Sequence, residues 1–274
     1  MPTPIEIILD PISLGIFGIY LALMCWEALA PGRKLPKMRG WRTRALLAFA
    51  TYFMLASYLP LLWDGWLAEY RLFDLTGLGV AGGAIVGLLI YELVAYAYHR
   101  TLHASDTLWR FVHQMHHSSE RLDTYSAFWF SPADMVGWTA VSSFALVLVL
   151  GIQPAAATIL IMLLMFMAIF QHSNVRTPRW VGYIIQRPES HTIHHGKGLH
   201  RYNYADLPLV DMLFGTFRNP PGFEMETGFF KGASTRVFDM ILGRDQSRAE
   251  VAQNQPQAVR SLTAQAAVET KQAA

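Results

Sequence analysis

Residues 82–103 read GGAIVGLLIYELVAYAYHRTLH. Together with the residues from Asp74 onward, the run up to Tyr98 meets the need of a membrane-spanning helix for about 20 mostly apolar residues. It ends on two histidines four positions apart. Side chains at that spacing share one helix face, so His99 and His103 leave the end of the span in the same direction. Glu92, inside the run, lies on one helical stripe with Tyr96, His99 and His103. A carboxylate in hydrocarbon is costly unless it is paired or neutralised. Glu92 is therefore read either as an acceptor that orients an imidazole or as a polar contact between helices.

The rest of the chain agrees with a membrane protein. Its 274 residues are 53% hydrophobic and 15% charged, with mean hydropathy +0.25, far more apolar than an ordinary soluble domain. Further apolar stretches lie at roughly 11–30, 45–66, 134–151 and 155–171, which predicts an all-α integral membrane fold: an N-terminal anchor span, then two helical hairpins that supply four core spans. No lysine or arginine precedes the first stretch and no A-x-A site follows it, so it reads as an anchor and not as a cleaved signal. Gly151–Pro154 and Asp64–Asp74 are the expected hairpin tips.

Short cytoplasmic loops collect lysine and arginine. Arg33, Lys34, Lys37, Arg39, Arg42 and Arg44 stand between the first two stretches, while the tips carry little beyond Arg71. That bias predicts an amino terminus outside, as in a bacterial-type inner membrane, with His99, His172 and the carboxyl terminus on the cytoplasmic side. The predicted organisation is an anchor and basic loop at 1–44, a catalytic unit at 45–244 and a loose Ala/Gln-rich tail at 245–274. In the 99–133 insert, Ser105-Asp106-Thr107 offers an N-cap to a helix carrying the second histidine group. Gly196 and Gly198 are expected to end the helix of the third.

All ten histidines fall between 99 and 200: His99-xxx-His103, His113-xx-His116-His117, a lone His172, His191-xx-His194-His195, and His200. Imidazole suits iron, zinc, copper or nickel. A box on a helix aims two or three rings at one place, and nine boxed or span-end histidines exceed the roughly four ligands of one tetrahedral ion. Two metals side by side are expected. His172 joins the set because it ends its span as His99 ends another, whereas His200 lacks a box partner and is placed in a supporting or surface role. No H-E-x-x-H, G-x-S-x-G or glycine-rich phosphate loop is present. No basic run with interleaved aromatics points to nucleic acid, and the lone Cys25 excludes an internal disulfide.

From Gly87 to Phe217 the sequence resembles the fatty acid hydroxylase superfamily of membrane enzymes, and within it the sterol desaturase group. The resemblance rests on His99-Arg-Thr-Leu-His103, His113-Gln-Met-His116-His117-Ser118, Gln171-His172-Ser173-Asn174, His191-Thr-Ile-His194-His195 and Tyr202-Asn203-Tyr204-Ala-Asp206-Leu207-Pro208-Leu-Val-Asp211-Met-Leu213-Phe214-Gly215-Thr216. It implies a non-haem di-iron centre that uses dioxygen and external electrons to hydroxylate or desaturate a sterol-like or fatty-acyl lipid. By match to the boxes, His99, His103, His113, His116, His117, His172, His191, His194 and His195 would hold the iron, supported by Glu92, Asn174, His200, Asn203 and Asp211.

No flavin, haem or nicotinamide motif is visible, so electrons are expected from a separate ferredoxin- or cytochrome-like donor with an NAD(P)H reductase. Zinc can replace iron on purification, because nitrogen donors intrinsically favour it over ferrous iron. A groove lined by Phe128, Trp129, Phe130 and Met135 is the suggested entry for a lipid tail. Rival readings are an acyl-lipid desaturase or carotenoid hydroxylase of the same plan, a histidine-rich metal transporter, and a haem-bearing electron carrier.

Overall fold

The computed structural model describes residues 1–248. The chain opens with α1 (Pro4–Leu9) and α2 (Pro11–Leu29), the latter started by Pro11 and by Asp10 accepting from the Ile12 amide at 2.9 Å, a fixed φ and a side-chain cap where both are favoured. After the basic loop come α3 (Trp41–Tyr58) and α4 (Pro60–Glu69), then β1 (Phe73–Asp74) and α5 (Gly79–Ala104). A short helical run follows as α6 (Asp106–Leu108), a π turn over Trp109–His113 and α7 (Gln114–His117). Next are α8 (Pro132–Ser143), extended by a π turn to Val149, β2 (Leu150–Gly151) and α9 (Pro154–His172). Short helices α10 (Pro188–His194), α11 (Pro208–Leu213) and α12 (Val237–Ile241) complete the fold.

Among the described residues five helices are long and apolar enough to cross a membrane: Pro11–Leu29, Trp41–Glu69, Thr76–Ala104, Pro132–Val149 and Pro154–His172. Only 17–39% of the most apolar window of each is buried inside the protein. Leu14, Leu21, Leu47, Ile85 and Ile159 are among the large apolar side chains left outside, a surface that a bilayer covers and water does not. The fold is all-α and integral to a membrane. The third span runs on to Ala104, so His99 and His103 belong to the same helix as Glu92 and not to a separate insert.

α5 and α2 both pack along α9. Gly83 and Gly87 permit the first contact: a Cβ on Gly83 would stand 3.1 Å from Ala156 Cβ, and one on Gly87 3.0 Å from Leu160 Cδ2. Small residues let helices approach closely where no hydrophobic effect drives them together. A second apolar cluster joins Tyr20, Phe49 and Phe53 of α2 and α3 to Phe128, Ile169 and Phe170.

The two tips, β1 and β2, pair in parallel with Phe73 opposite Leu150 and Asp74 opposite Gly151. The histidines gather at the opposite end, where α5 and α9 finish. The basic loop lies at that end as well. Gly32 N donates to Asn174 O at 2.6 Å, Arg33 Nη1 to Met225 O at 2.7 Å, and buried Trp41 Nε1 to Asp123 at 3.1 Å. Glu27, in the last turns of α2, accepts from Thr124 N and Oγ1 at 2.7 and 2.6 Å and from Asn174 N at 2.9 Å. The first span thus fastens the loops around the histidines. Residues 245–248 are bonded to the second histidine segment, with Gln246 N on Gln114 Oε1 at 3.0 Å and Trp109 Nε1 on Ser247 Oγ at 3.2 Å. The remainder of the expected loose tail lies outside the described residues.

Candidate metal centre

Nine imidazoles converge into two adjoining clusters. His99, His103, His113, His117 and His194 form one, and His116, His172, His191 and His195 the other. Within each, one nitrogen from every ring lies within 4.8 Å of all the rest. These are the nine expected from the boxes. The boxes are divided in a way the spacing does not suggest, because each H-x-x-H-H motif straddles both clusters instead of aiming at one. His113 and His117, four apart, enter the five-histidine cluster while His116 enters the other. The third box does the reverse, sending His191 and His195 to the four-histidine cluster and His194 to its neighbour. The clusters touch where His117 and His195 stack, with centroids 4.1 Å apart.

Local structure aims the rings. Ser105 caps the 106–117 run by accepting from Leu108 N at 3.4 Å. Within the run the Gln114 amide reaches back to Trp109 O, and this π turn ends on His113, the first histidine of the box. Such insertions are frequent at functional sites. α10 begins at Pro188 and ends at His194, one residue before His195 caps it, near the expected Gly196.

Several rings have a fixed proton. His99 Nδ1 meets Tyr204 O, His194 Nδ1 meets Tyr202 O and His172 Nδ1 meets Ala168 O, each at 2.7 Å. A carbonyl only accepts, so the proton sits on Nδ1 and the Nε2 lone pair faces inward. Asp134 Oδ2, 2.8 Å from His113 Nδ1 and fully buried with it, does the same for His113. His99 Nε2 and His113 Nε2 then stand 3.0 Å apart, and His172 Nε2 is 3.1 Å from both His116 Nε2 and His191 Nε2. Lone pairs so close repel unless a cation lies between them. Nitrogens bound to one ion at about 2.1 Å in tetrahedral or octahedral array would be about 3.0–3.4 Å apart. Nε2 of His103, His117 and His194 has no hydrogen-bond partner among the described residues. The donor set fits two nitrogen-ligated transition-metal ions. Burial, reinforced by neighbouring imidazoles, holds His113, His116, His117, His191, His194 and His195 well below the usual imidazole range, which keeps them neutral and able to ligate.

The expected supporting residues act one layer further out. Glu92 Oε2 accepts from Asp206 N and Leu207 N at 2.9 and 3.0 Å. Asp211 accepts from Tyr204 N and Ala205 N, both at 2.9 Å. Between them they fix the segment whose Tyr204 carbonyl orients His99. Asn203 donates to Ser190 O and Arg218 O, next to His191, at 2.8 and 3.0 Å. Asn174 donates to Arg33 O at 2.8 Å and, among the described residues, makes no hydrogen bond to an imidazole. His200 stands outside both clusters, its Nδ1 3.3 Å from that of His117. His200, Tyr202 and Asn203 all have left-handed backbones, with φ of 43°, 72° and 50°, strain of the kind that accumulates at functional sites.

Sequence reasoning passed over Asp134 and Trp109, whose ring lies 5.1 Å from those of both His103 and His117. A cavity of about 70 Å³ adjoins the centre, walled by histidines of both clusters and by Tyr52, Tyr91, Phe128, Phe130 and Trp138. Of the four residues suggested for a lipid groove, Phe128 and Phe130 line it. Trp129 instead donates to Ser118 Oγ at 3.2 Å, and Met135 is buried in the core. Trp138 stands against His99 with centroids 5.6 Å apart.

Residues 84–216, which contain every histidine of both clusters, match the fatty acid hydroxylase family. The chain is similar to an ornithine lipid hydroxylase of Rhizobium tropici, 34% identical over 142 residues, covering 50% of this chain and 42% of that protein. It is also similar to a Delta(7)-sterol-C5(6)-desaturase of Nicotiana tabacum, 29% identical over 168 residues, covering 57% of this chain and 58% of that one. The chain thus spans about half the length of these relatives. No solved structure matches it. Through residues 84–216 the chain belongs to the fatty acid hydroxylase and sterol desaturase family.

Proposed function

We propose that this chain is a membrane-bound oxygenase that hydroxylates or desaturates a lipid at two iron ions, one held by each histidine cluster. The observation that carries the reading is the apolar cavity, which opens onto His99 and His113 of one cluster and His116, His172 and His191 of the other. Its aromatic and aliphatic walls, Phe128, Phe130, Trp138 and Leu164 among them, suit a hydrocarbon.

Unactivated C–H bonds resist acid–base and nucleophilic side chains, and bound iron would supply dioxygen activation, with electrons from a separate donor protein. The chain's residues supply the geometry. Asp134 and the carbonyls of Tyr202, Tyr204 and Ala168 lock the imidazoles, so donors do not have to reorganise when an ion binds. Aromatic walls exclude water and hold the reacting stretch of the lipid beside the rings. Residues 45–244 form the catalytic unit in this reading and 1–44 an anchor that braces it, with the histidine face in the cytoplasm and the amino terminus outside. The ornithine lipid and sterol of the relatives point to a lipid with an extended hydrocarbon portion. A transport path would place ligands along the depth of the membrane, and these gather at the ends of α5 and α9.

Comparative lipidomics of cells carrying the parent or His116→Ala tests the proposal. The expected result is one lipid class that differs by an oxygen atom or by two hydrogens. Identical lipidomes, with both proteins present in the membrane at equal amounts, would overturn it.

A further inference from the structure

A second concavity lies apart from the histidine cavity, between the basic loop and residues 226–235. It encloses about 530 Å³ and is lined by seven lysines and arginines against two carboxylates, Glu120 and Glu226. Among the described residues none of these cations is in an ion pair with a carboxylate. Arg44 Nε and Nη2 and Arg33 Nε are buried without a hydrogen-bond partner among the described residues. Arg33 uses Nη1 on Met225 O at 2.7 Å and lies over the Phe223 ring, 4.7 Å from its centroid. A guanidinium presents a rigid fork of donors matched to phosphate and carboxylate oxygens. Buried donors of this kind without acceptors mark the place of an oxyanion. Glu120 Oε1 is taken by Gly232 N at 2.6 Å, and its Oε2 is buried without a hydrogen-bond partner among the described residues, so the lining of the same groove also holds an unpaired acceptor.

Location and lining choose the source of the oxyanion. The groove opens between the end of α2 at Leu29 and the start of α3 at Trp41, where two candidate spans leave the apolar layer. Leu35, Met38, Phe229 and Phe230 give it an apolar side. Lipid headgroups occupy this depth, and juxtamembrane basic side chains draw anionic ones.

We propose that this groove binds the headgroup of an anionic phospholipid, with Arg33 and Arg44 donating to the phosphate and Glu120 accepting from a headgroup hydroxyl. This site is distinct from the metal centre, and its test does not depend on activity.

Native mass spectrometry of the full-length protein in detergent, with phosphatidylglycerol or phosphatidylcholine added, reads the binding directly. Phosphatidylglycerol should be retained in preference to phosphatidylcholine, and Arg33→Gln/Arg44→Gln should weaken it by roughly fivefold per charge removed. Because the buried arginines can also affect folding, Lys37→Gln/Lys231→Gln at the rim serves as an independent pair, with a loss of the same order expected. Equal retention of the two lipids would overturn the proposal, as would unchanged phosphatidylglycerol binding in both double variants. Displacement by millimolar inorganic phosphate would show a free-anion site in place of a lipid site.

Discussion

Removing the carboxylate behind His113 gives the sharpest local perturbation. Asp134 and His113 are both fully buried and 2.8 Å apart, and the helix start that holds Asp134 is separately capped by Ser131, which accepts from the Asp134 amide at 3.1 Å. The position can therefore change without loss of the cap. Asp134→Asn keeps an acceptor for His113 Nδ1 but removes the charge, and charge-assisted hydrogen bonds are about twice as strong as neutral ones. Asp134→Ala removes the acceptor altogether. Loss of such a partner typically lowers metal affinity about 10–100-fold, so Asn should fall near the lower limit and Ala near the upper, about 1.4 and 2.7 kcal/mol. His113 belongs to the five-histidine cluster, so the effect should be confined to one of two ions. Chelator competition on the detergent-solubilised protein, with bound metal counted by elemental mass spectrometry, separates the two sites. If Asp134→Ala binds both ions within twofold of the parent, Asp134 does not orient a ligand and the reasoning fails.

Three other outcomes follow from the same geometry. Glu92→Leu leaves the buried amides of Asp206 and Leu207 without their acceptor, at a cost of about 2–3 kcal/mol, and should loosen Tyr204 and lower the affinity of the five-histidine cluster more than that of its neighbour; Glu92→Gln, which retains an acceptor, should restore most of the loss in both thermal unfolding and metal competition. In the four-histidine cluster, Nδ1 of His116, His191 and His195 has no partner among the described residues, so a chelator titration of the parent should be biphasic, with this cluster emptied first; a single phase in the parent would count against it. For pH, the unfolded chain takes up protons near the ordinary imidazole pKa of about 6.5, whereas the six buried imidazoles outside the spans stay neutral. The folded metal-free protein therefore binds fewer protons, and its stability is full above about pH 6.5 and declines as pH falls. Asp123 and Asp206, each raised by burial to about 6, and Asp211, also raised by burial, act in the opposite sense, but they are three groups against six. The unfolding temperature of the metal-free protein should fall between pH 7 and 5, and a rise would contradict the assignment.

The spans were legible because about 20 successive apolar residues have few other uses, and the nine histidines because imidazoles at helical spacing seldom fill a core. Their division was hidden. Periodicity treats His113-xx-His116-His117 as one face, and only the π turn and the placement of α10 opposite it show two faces serving two clusters. Asp134 gave no signal, since an acidic residue in the first turn after Ser131-Pro132 is accounted for by capping and the helix dipole. The Tyr202 and Tyr204 acceptors are backbone atoms, and the left-handed residues near them are not glycines, so composition does not announce the turn. Glu27 was overlooked because an anchor span carries no expectation of contacts with a distant loop, yet it fastens Thr124 and Asn174.

The central claim is that two clusters hold two ions, and the metal-to-protein ratio tests it most directly. Protein purified after growth in iron-rich medium, and measured beside His194→Ala and His191→Ala, should contain about two ions per chain in the parent and about one in each variant. A parent ratio of one or below in excess metal, or the loss of both ions from either folded variant, would contradict the account.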